Sequence, residues 1–186
     1  TGYKSDLNKI KEDELDIRHY GCAYSKARSG FNTSPVKSTT TQQLDADSYD
    51  NDEKDDFTSI KQLIVDVKAQ DNSLLDKLIS KGEYTNYENF HRTSKIFRFE
   101  NAFNNFFDTI RFDGVNEEDP KEKKVTFSKN GKNIAIDDLS TGEKQIVFRG
   151  AQLLKNSKNL NGGIVLIDEP ELSMHPKWQS KIFDYY

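Results

Sequence analysis

Among 186 residues the chain has one cysteine, one methionine, one tryptophan and four prolines. A lone Cys22 excludes an internal disulfide and any metal site built from cysteines. Long apolar runs are also missing. The longest are a few residues, far below the ~20 that a membrane-spanning helix needs. The first dozen residues are polar and lack the apolar stretch of a secretory leader. These absences predict a cytoplasmic protein in a reducing compartment, without membrane insertion. Positive charge is not in excess: 27 Lys and Arg stand against 31 Asp and Glu, for a net charge of -4. That excludes a polyanion-binding surface spread over the whole chain, though not a local one. Counting its ten glycines, about 39% of the chain is apolar, below the roughly 45–50% of an ordinary globular domain. A core of that size is thin, so the chain is expected to be part solvated or a piece of a larger body.

The charge that is present is unevenly placed. Residues 45–56 hold seven acids against the single base Lys54, and residues 29–43 are rich in Ser, Thr, Gly and Pro. Together they predict a long, solvated polar loop over 29–56 with almost no apolar anchor. Before it, Tyr20, Cys22 and Tyr24 alternate, as in a short strand over 19–26. After it, Phe57, Ile60, Leu63, Ile64 and Val67 recur at helical spacing. Leu74, Leu75, Leu78 and Ile79 predict a second helix, starting at Asp71 or Ser73 and ending near Gly82. Phe99, Phe103, Phe106, Phe107 and Ile110 form an aromatic stripe on a third, read as core rather than as a platform for stacking bases. Residues 57–112 are therefore taken as a helical subdomain. Asn130-Gly131, between the alternating residues 125–127 and 134–136, signals a hairpin. His19 and His91 receive no role, Asp137 and Asp138 read as turn residues, and Trp178 is expected to pack the following helix on the sheet.

Residues 138–178 carry the chemistry. Ser140 is followed three positions later by Glu143, a capping box that predicts a helix start. Ile146, Val147, Ala151 and Leu154 give that helix its buried face. Free N–H groups at a helix start suit an anion, and Gly142 would let backbone approach a ligand closely. Further on, the aliphatic run 164–167 predicts a strand buried on both faces, hence part of a parallel central sheet. It ends in Asp168-Glu169, where open α/β sheets bind ligands. One carboxylate there can hold Mg²⁺, and its neighbour can orient and deprotonate a water. Each element alone is ordinary.

In this order they are specific. Leu139-Ser140-Thr141-Gly142-Glu143-Lys144-Gln145, about a dozen helical residues, a strand ending Asp168-Glu169-Pro170-Glu171, then Leu172-Ser173-Met174-His175-Pro176, resembles the second half of an ABC-type ATPase domain. On that resemblance, residues 140–145 match the signature motif, 164–169 the Walker B strand and 173–175 the D-loop. The wording Glu-Leu-Ser-x-His-Pro-x-Trp-Gln departs from transporter ATPases. It is similar to soluble ABC-like ATPases of the overcoming-lysogenization-defect (OLD) and RecF-like groups, often described as AAA-family ATP-binding proteins. Two parts of the family pattern do not occur in these 186 residues. There is no Gly-x-x-x-x-Gly-Lys-Ser/Thr, the loop that cradles phosphates, and no switch histidine, since His175 belongs to the D-loop.

The resemblance implies a partial P-loop, ABC-type α/β fold over 1–186, with a mostly parallel central sheet. The helical subdomain and polar loop precede a motif-bearing part at 123–186. It implies ATP and Mg²⁺ as cofactors, with Asp168 as the metal ligand and Glu169 as the catalytic base. Ser140, Thr141, Gly142, Glu143, Gln145, Ser173 and His175 become nucleotide-binding residues. It implies a homodimer that sandwiches ATP, with a nucleic acid or a nuclease as a further partner, and an isolated chain that is inactive. The alternatives are a transporter's nucleotide-binding subunit and a non-catalytic dimerisation module.

Overall fold

The computed structural model describes residues 22–25, 30–45, 57–84, 86–155, 157 and 164–182. The elements run β1 (Cys22–Ser25), α1 (Thr58–Ser80), α2 (Tyr87–Thr93), α3 (Ile96–Phe106), β2 (Ile110–Asn116), β3 (Lys124–Lys129), β4 (Lys132–Ala135), α4 (Thr141–Lys155), β5 (Ile164–Ile167) and α5 (Pro176–Gln179). The fold is mixed α/β. β2, β3 and β4 form an antiparallel sheet in chain order, and β1 pairs in parallel with β5. None of the described helices is long and apolar enough to cross a membrane.

The hairpin forms as its turn residues dictate. Asn130 and Gly131 have φ of 51° and 75°, the two left-handed positions of a type I′ turn, and Thr126 pairs with Ala135 behind them. The strand ends at Ala135, one residue before the expected limit, and a 3₁₀ turn follows at Ile136–Asp138, in which Asp137 and Asp138 are turn residues as read. The aromatic stripe is core: Phe99, Phe103, Phe106, Phe107 and Ile110 are all buried. Phe103 lies 5.9 Å from the ring of Phe112 and 6.1 Å from that of Phe127, so α3 packs directly on β2 and β3. The stripe outlasts its helix, however. α3 ends at Phe106, Phe107 is extended and Ile110 opens β2.

Two expectations need correction. The helices foreseen on either side of residue 71 are one helix of 23 residues, α1. Asp71 looks like a local cap but caps at a distance. Its carboxylate accepts from the N–H groups of Lys95 (3.0 Å) and Ile96 (2.8 Å), the start of α3. Beyond it, Leu74 and Ile79 are 47% and 54% exposed rather than buried. The helix does stop near Gly82, whose φ of 70° lets the Glu83 N–H reach back to the Leu78 carbonyl.

The polar loop is the second correction. Residues 46–56 lie outside the described residues, but 30–45 are strapped along α1. Val36 and Leu44 are buried, and Val36 bridges to Lys123. The other fastenings are polar. Thr40 donates to Asp66 from its N–H (2.7 Å) and its hydroxyl (2.5 Å), and Gln62 and Gln70 donate to the carbonyls of Ser38 and Gln42. A search for apolar anchors misses this kind of attachment.

α4 is held at both ends. Its start has the expected capping box: the Ser140 N–H donates to the Glu143 carboxylate at 2.8 Å, and the Glu143 N–H to the Ser140 hydroxyl at 3.4 Å. At its end, Arg98 donates to the Leu154 carbonyl (2.7 Å) while pairing with Asp45, whose own N–H caps Lys155 (2.7 Å).

Candidate functional site

β5 runs parallel to β1 in a register that sets Tyr24 beside Leu166 and Ser25 beside Ile167. Its carboxyl end passes directly into residues 168–175. Burial on both faces does not hold: Leu166 is 52% exposed, and β1 is its one paired neighbour among the described residues. Asp168 and Glu169 are both exposed. Glu169 has φ 42° and Ser173 φ 64°. Non-glycine residues at positive φ cost on the order of 1–3 kcal/mol each and persist where surrounding contacts impose them.

Those contacts come largely from α4. Arg149 is 1% exposed, among the largest fully buried side chains described. Its guanidinium donates to the backbone carbonyls of Asp168 (2.9 Å) and Glu169 (3.3 Å). Two turns earlier, Gly142 lies against the backbone of Ser173 and Met174. A Cβ there would fall closer than 3.0 Å to the Ser173 carbonyl oxygen and 3.3 Å from the Met174 Cα. Gly142 thus admits close backbone approach as expected, but what approaches is residue 173 of the same chain. Met174 is buried, and His175 caps α5, its Nδ1 accepting from the Lys177 N–H at 3.2 Å.

The nine candidate residues therefore separate into two kinds. Ser140, Thr141, Asp168, Glu169, Ser173 and His175 are exposed. Gly142, Glu143 and Gln145 are buried. Glu143 caps its own helix and pairs with Lys129 at 2.7 Å, so it acts as scaffold for the helix start. Trp178 packs on Phe107 at 5.5 Å and Phe106 at 6.3 Å, at the end of α3 rather than on the sheet. Asp137 is more than a turn residue: it pairs with the buried Lys61 at 2.8 Å, and its carbonyl accepts from Lys144 at 2.6 Å. Sequence reasoning passed over Arg149 and Lys61. The available signal was a charged residue in phase with a buried helical face, as Arg149 is with Ile146.

Among the described residues no group of three or more His, Cys, Asp or Glu is arranged to hold a metal. Mg²⁺ commonly takes one or two carboxylates and fills its octahedron with water and substrate phosphate. Asp168 would be this chain's carboxylate, and the exposed helix start at Ser140 and Thr141 suits an anion.

A parallel strand ending in paired acids is thus gripped at its carboxyl end by a capped helix, within a mixed α/β fold. The chain belongs to the AAA-domain family described as "AAA domain, putative AbiEii toxin, Type IV TA system", matched over residues 41–185. It is also similar to the "Retron Vc95 probable ATPase" of Vibrio cholerae serotype O1 biovar El Tor, at 32% identity over 128 residues. That match covers 63% of this chain and 24% of the relative, so the chain spans about a quarter of that protein's length.

Proposed function

We propose that the protein carrying this chain is an ABC-like ATPase of the OLD/RecF-like type, using ATP with Mg²⁺ in the cytoplasm. In this reading β1 and β5 belong to a mostly parallel central sheet. Two subunits sandwich the nucleotide, and hydrolysis drives nucleic-acid processing or phage defence, with a nucleic acid or nuclease as partner. The observation that carries it is the exposed Asp168–Glu169 pair at the end of a parallel strand, its backbone held by the signature helix. The family match and the relative's printed name support the ATPase part.

The residues would divide the work. Asp168 would hold the ion's hydrated shell, and Glu169, one residue further, would accept a proton from the attacking water at its carboxylate oxygen. Bound Mg²⁺ would supply neutralisation of phosphate charge. Ser140 and Thr141 would present a hydroxyl and N–H groups to phosphate oxygens.

The test is a pair of substitutions in the complete protein. Glu169→Gln removes the base but keeps the shape, so ATP should stay bound and the closed dimer should persist, while turnover falls by about 10² or more. Asp168→Asn should weaken Mg²⁺-dependent nucleotide binding itself. Equal nucleotide affinity and equal oligomer distribution for both variants would overturn the division of roles.

A further inference from the structure

Resting on that reading, we infer that Arg149 is a positioning residue that sets the direction of the Glu169 side chain and ties it to the signature helix. The direction of a Cα–Cβ bond is fixed by the two peptide planes that meet at that Cα. At Glu169 these planes carry the carbonyls of Asp168 and Glu169. Arg149 donates to both, at 2.9 and 3.3 Å, and so fixes φ and ψ of Glu169 together. A planar guanidinium presents two parallel donors, which a lysine ammonium does not reproduce.

Glu169 needs such a clamp. Its φ of 42° is unfavourable for a residue with a side chain, and it precedes Pro170, which disfavours helical-type backbone in the residue before it. Pro170 also lacks an N–H, so the second plane offers its carbonyl alone as a handle. That carbonyl additionally accepts from the Leu172 N–H at 3.1 Å. Arg149 cannot shift independently of its helix. Gly142 is wedged against Ser173, and the far end is fastened through Arg98 and Asp45. A displacement of α4, such as one caused by a phosphate arriving at Ser140 and Thr141, therefore reaches the Glu169 carboxylate through Arg149.

The experiment compares Arg149→Met, Arg149→Lys and Phe148→Leu in the complete protein. Phe148 is a buried neighbour on the same helix that packs on Phe31 and Phe57, so its truncation reports simple loss of packing. Amide hydrogen exchange is read without nucleotide, and kcat and KM are read with Mg-ATP. Arg149→Met should speed exchange at 168–174 by about tenfold or more, relative to the rest of the chain. It should lower kcat by at least about tenfold with KM within about threefold. Arg149→Lys should be intermediate in both, and Phe148→Leu should lower Tm without either change. Unchanged exchange at 168–174 in Arg149→Met would overturn the inference. So would a rise there no larger, relative to the rest of the chain, than in Phe148→Leu. If Arg149→Met does not fold, Arg149→Lys decides by the same criterion. A wild-type protein that turns over no ATP would defeat the ATPase reading, and the exchange comparison would still decide the clamp.

Discussion

Gly142 and Ser173 meet backbone to backbone: the α-carbon of the second residue of α4 faces the Ser173 carbonyl of the same chain, with no room between them for a methyl group. Two segments 31 positions apart in sequence are thereby one structural piece. In a two-fold ATP sandwich, each subunit would present both to its partner's nucleotide together.

Gly142→Ala should therefore destabilise the protein. On helix propensity alone the change would help by up to ~1 kcal/mol. Forcing a methyl into packed backbone costs about 1–3 kcal/mol, and the obstructing atoms are backbone that cannot rotate away. The clash should win, with a net loss of about 1–2 kcal/mol in urea unfolding. A variant as stable as the wild type would show that the two segments are not locked.

Why parts of this were legible in the sequence, and parts were not, follows from where each interaction closes. The capping box at Ser140 and Glu143, the Asn130-Gly131 turn and the spacing of Phe99 and Phe103 each close within a few residues, so the sequence displays them. Asp71 capping Lys95 and Ile96, Arg149 holding residues 168 and 169, and Thr40 bonding Asp66 all close between distant segments. Local pattern therefore misassigned Asp71, passed over Arg149 and left residues 30–45 as unanchored loop. The strand before Asp168 and Glu169 was legible because its aliphatic run is local.

Lys61 and Asp137 supply a test of burial energetics. Lys61 is 3% exposed, and its ammonium meets Asp137, which also accepts from the Thr33 hydroxyl at 2.6 Å. Asp137→Ala strands a buried cation and should cost roughly 3–5 kcal/mol. Lys61→Met keeps an apolar stem of similar reach and should cost less. The double variant should be more stable than Asp137→Ala alone. Strict additivity in chemical denaturation would mean that the pair does not interact.

Asp108 gives a pH dependence with a definite sign. Its carboxylate is held below the ordinary range, first by the hydrogen bond from Lys177 and then by that from Lys181. Lys177 lies within α5 and Lys181 just beyond it, so the pairing ties that helix to the segment after α3. A carboxyl whose pKa is depressed on folding stabilises above its unfolded value, and loses that contribution as pH falls through the folded value. The Tm difference between wild type and Asp108→Asn should thus be present at neutral pH. It should shrink from about pH 4 downward. Because the group is solvent-exposed, about 1 M salt should also reduce it. A difference that grew on acidification would contradict the pairing.

The last prediction concerns which subunit's signature serves which nucleotide. Gly142 is unsuitable for that test, because any side chain there collides with Ser173 in its own chain. Thr141 is the better position, since it is exposed and is the first residue of α4. An acid at a helix start is favoured by the helix dipole, so Thr141→Glu should fold normally while repelling an incoming phosphate. If the signature acts in trans, Thr141→Glu homodimers should bind ATP in each subunit yet fail to hydrolyse it. Glu169→Gln homodimers should fail as well. In a mixed dimer, the site with intact Glu169 belongs to the Thr141→Glu subunit and receives its signature from the Glu169→Gln subunit. One competent site is thus rebuilt. Mixing the two inactive proteins should restore up to about a quarter of wild-type turnover, because half of the dimers are mixed and each has one working site. Heterodimers that form, shown by differential tagging, yet remain inactive would mean that the signature acts within its own subunit or that both sites must fire together.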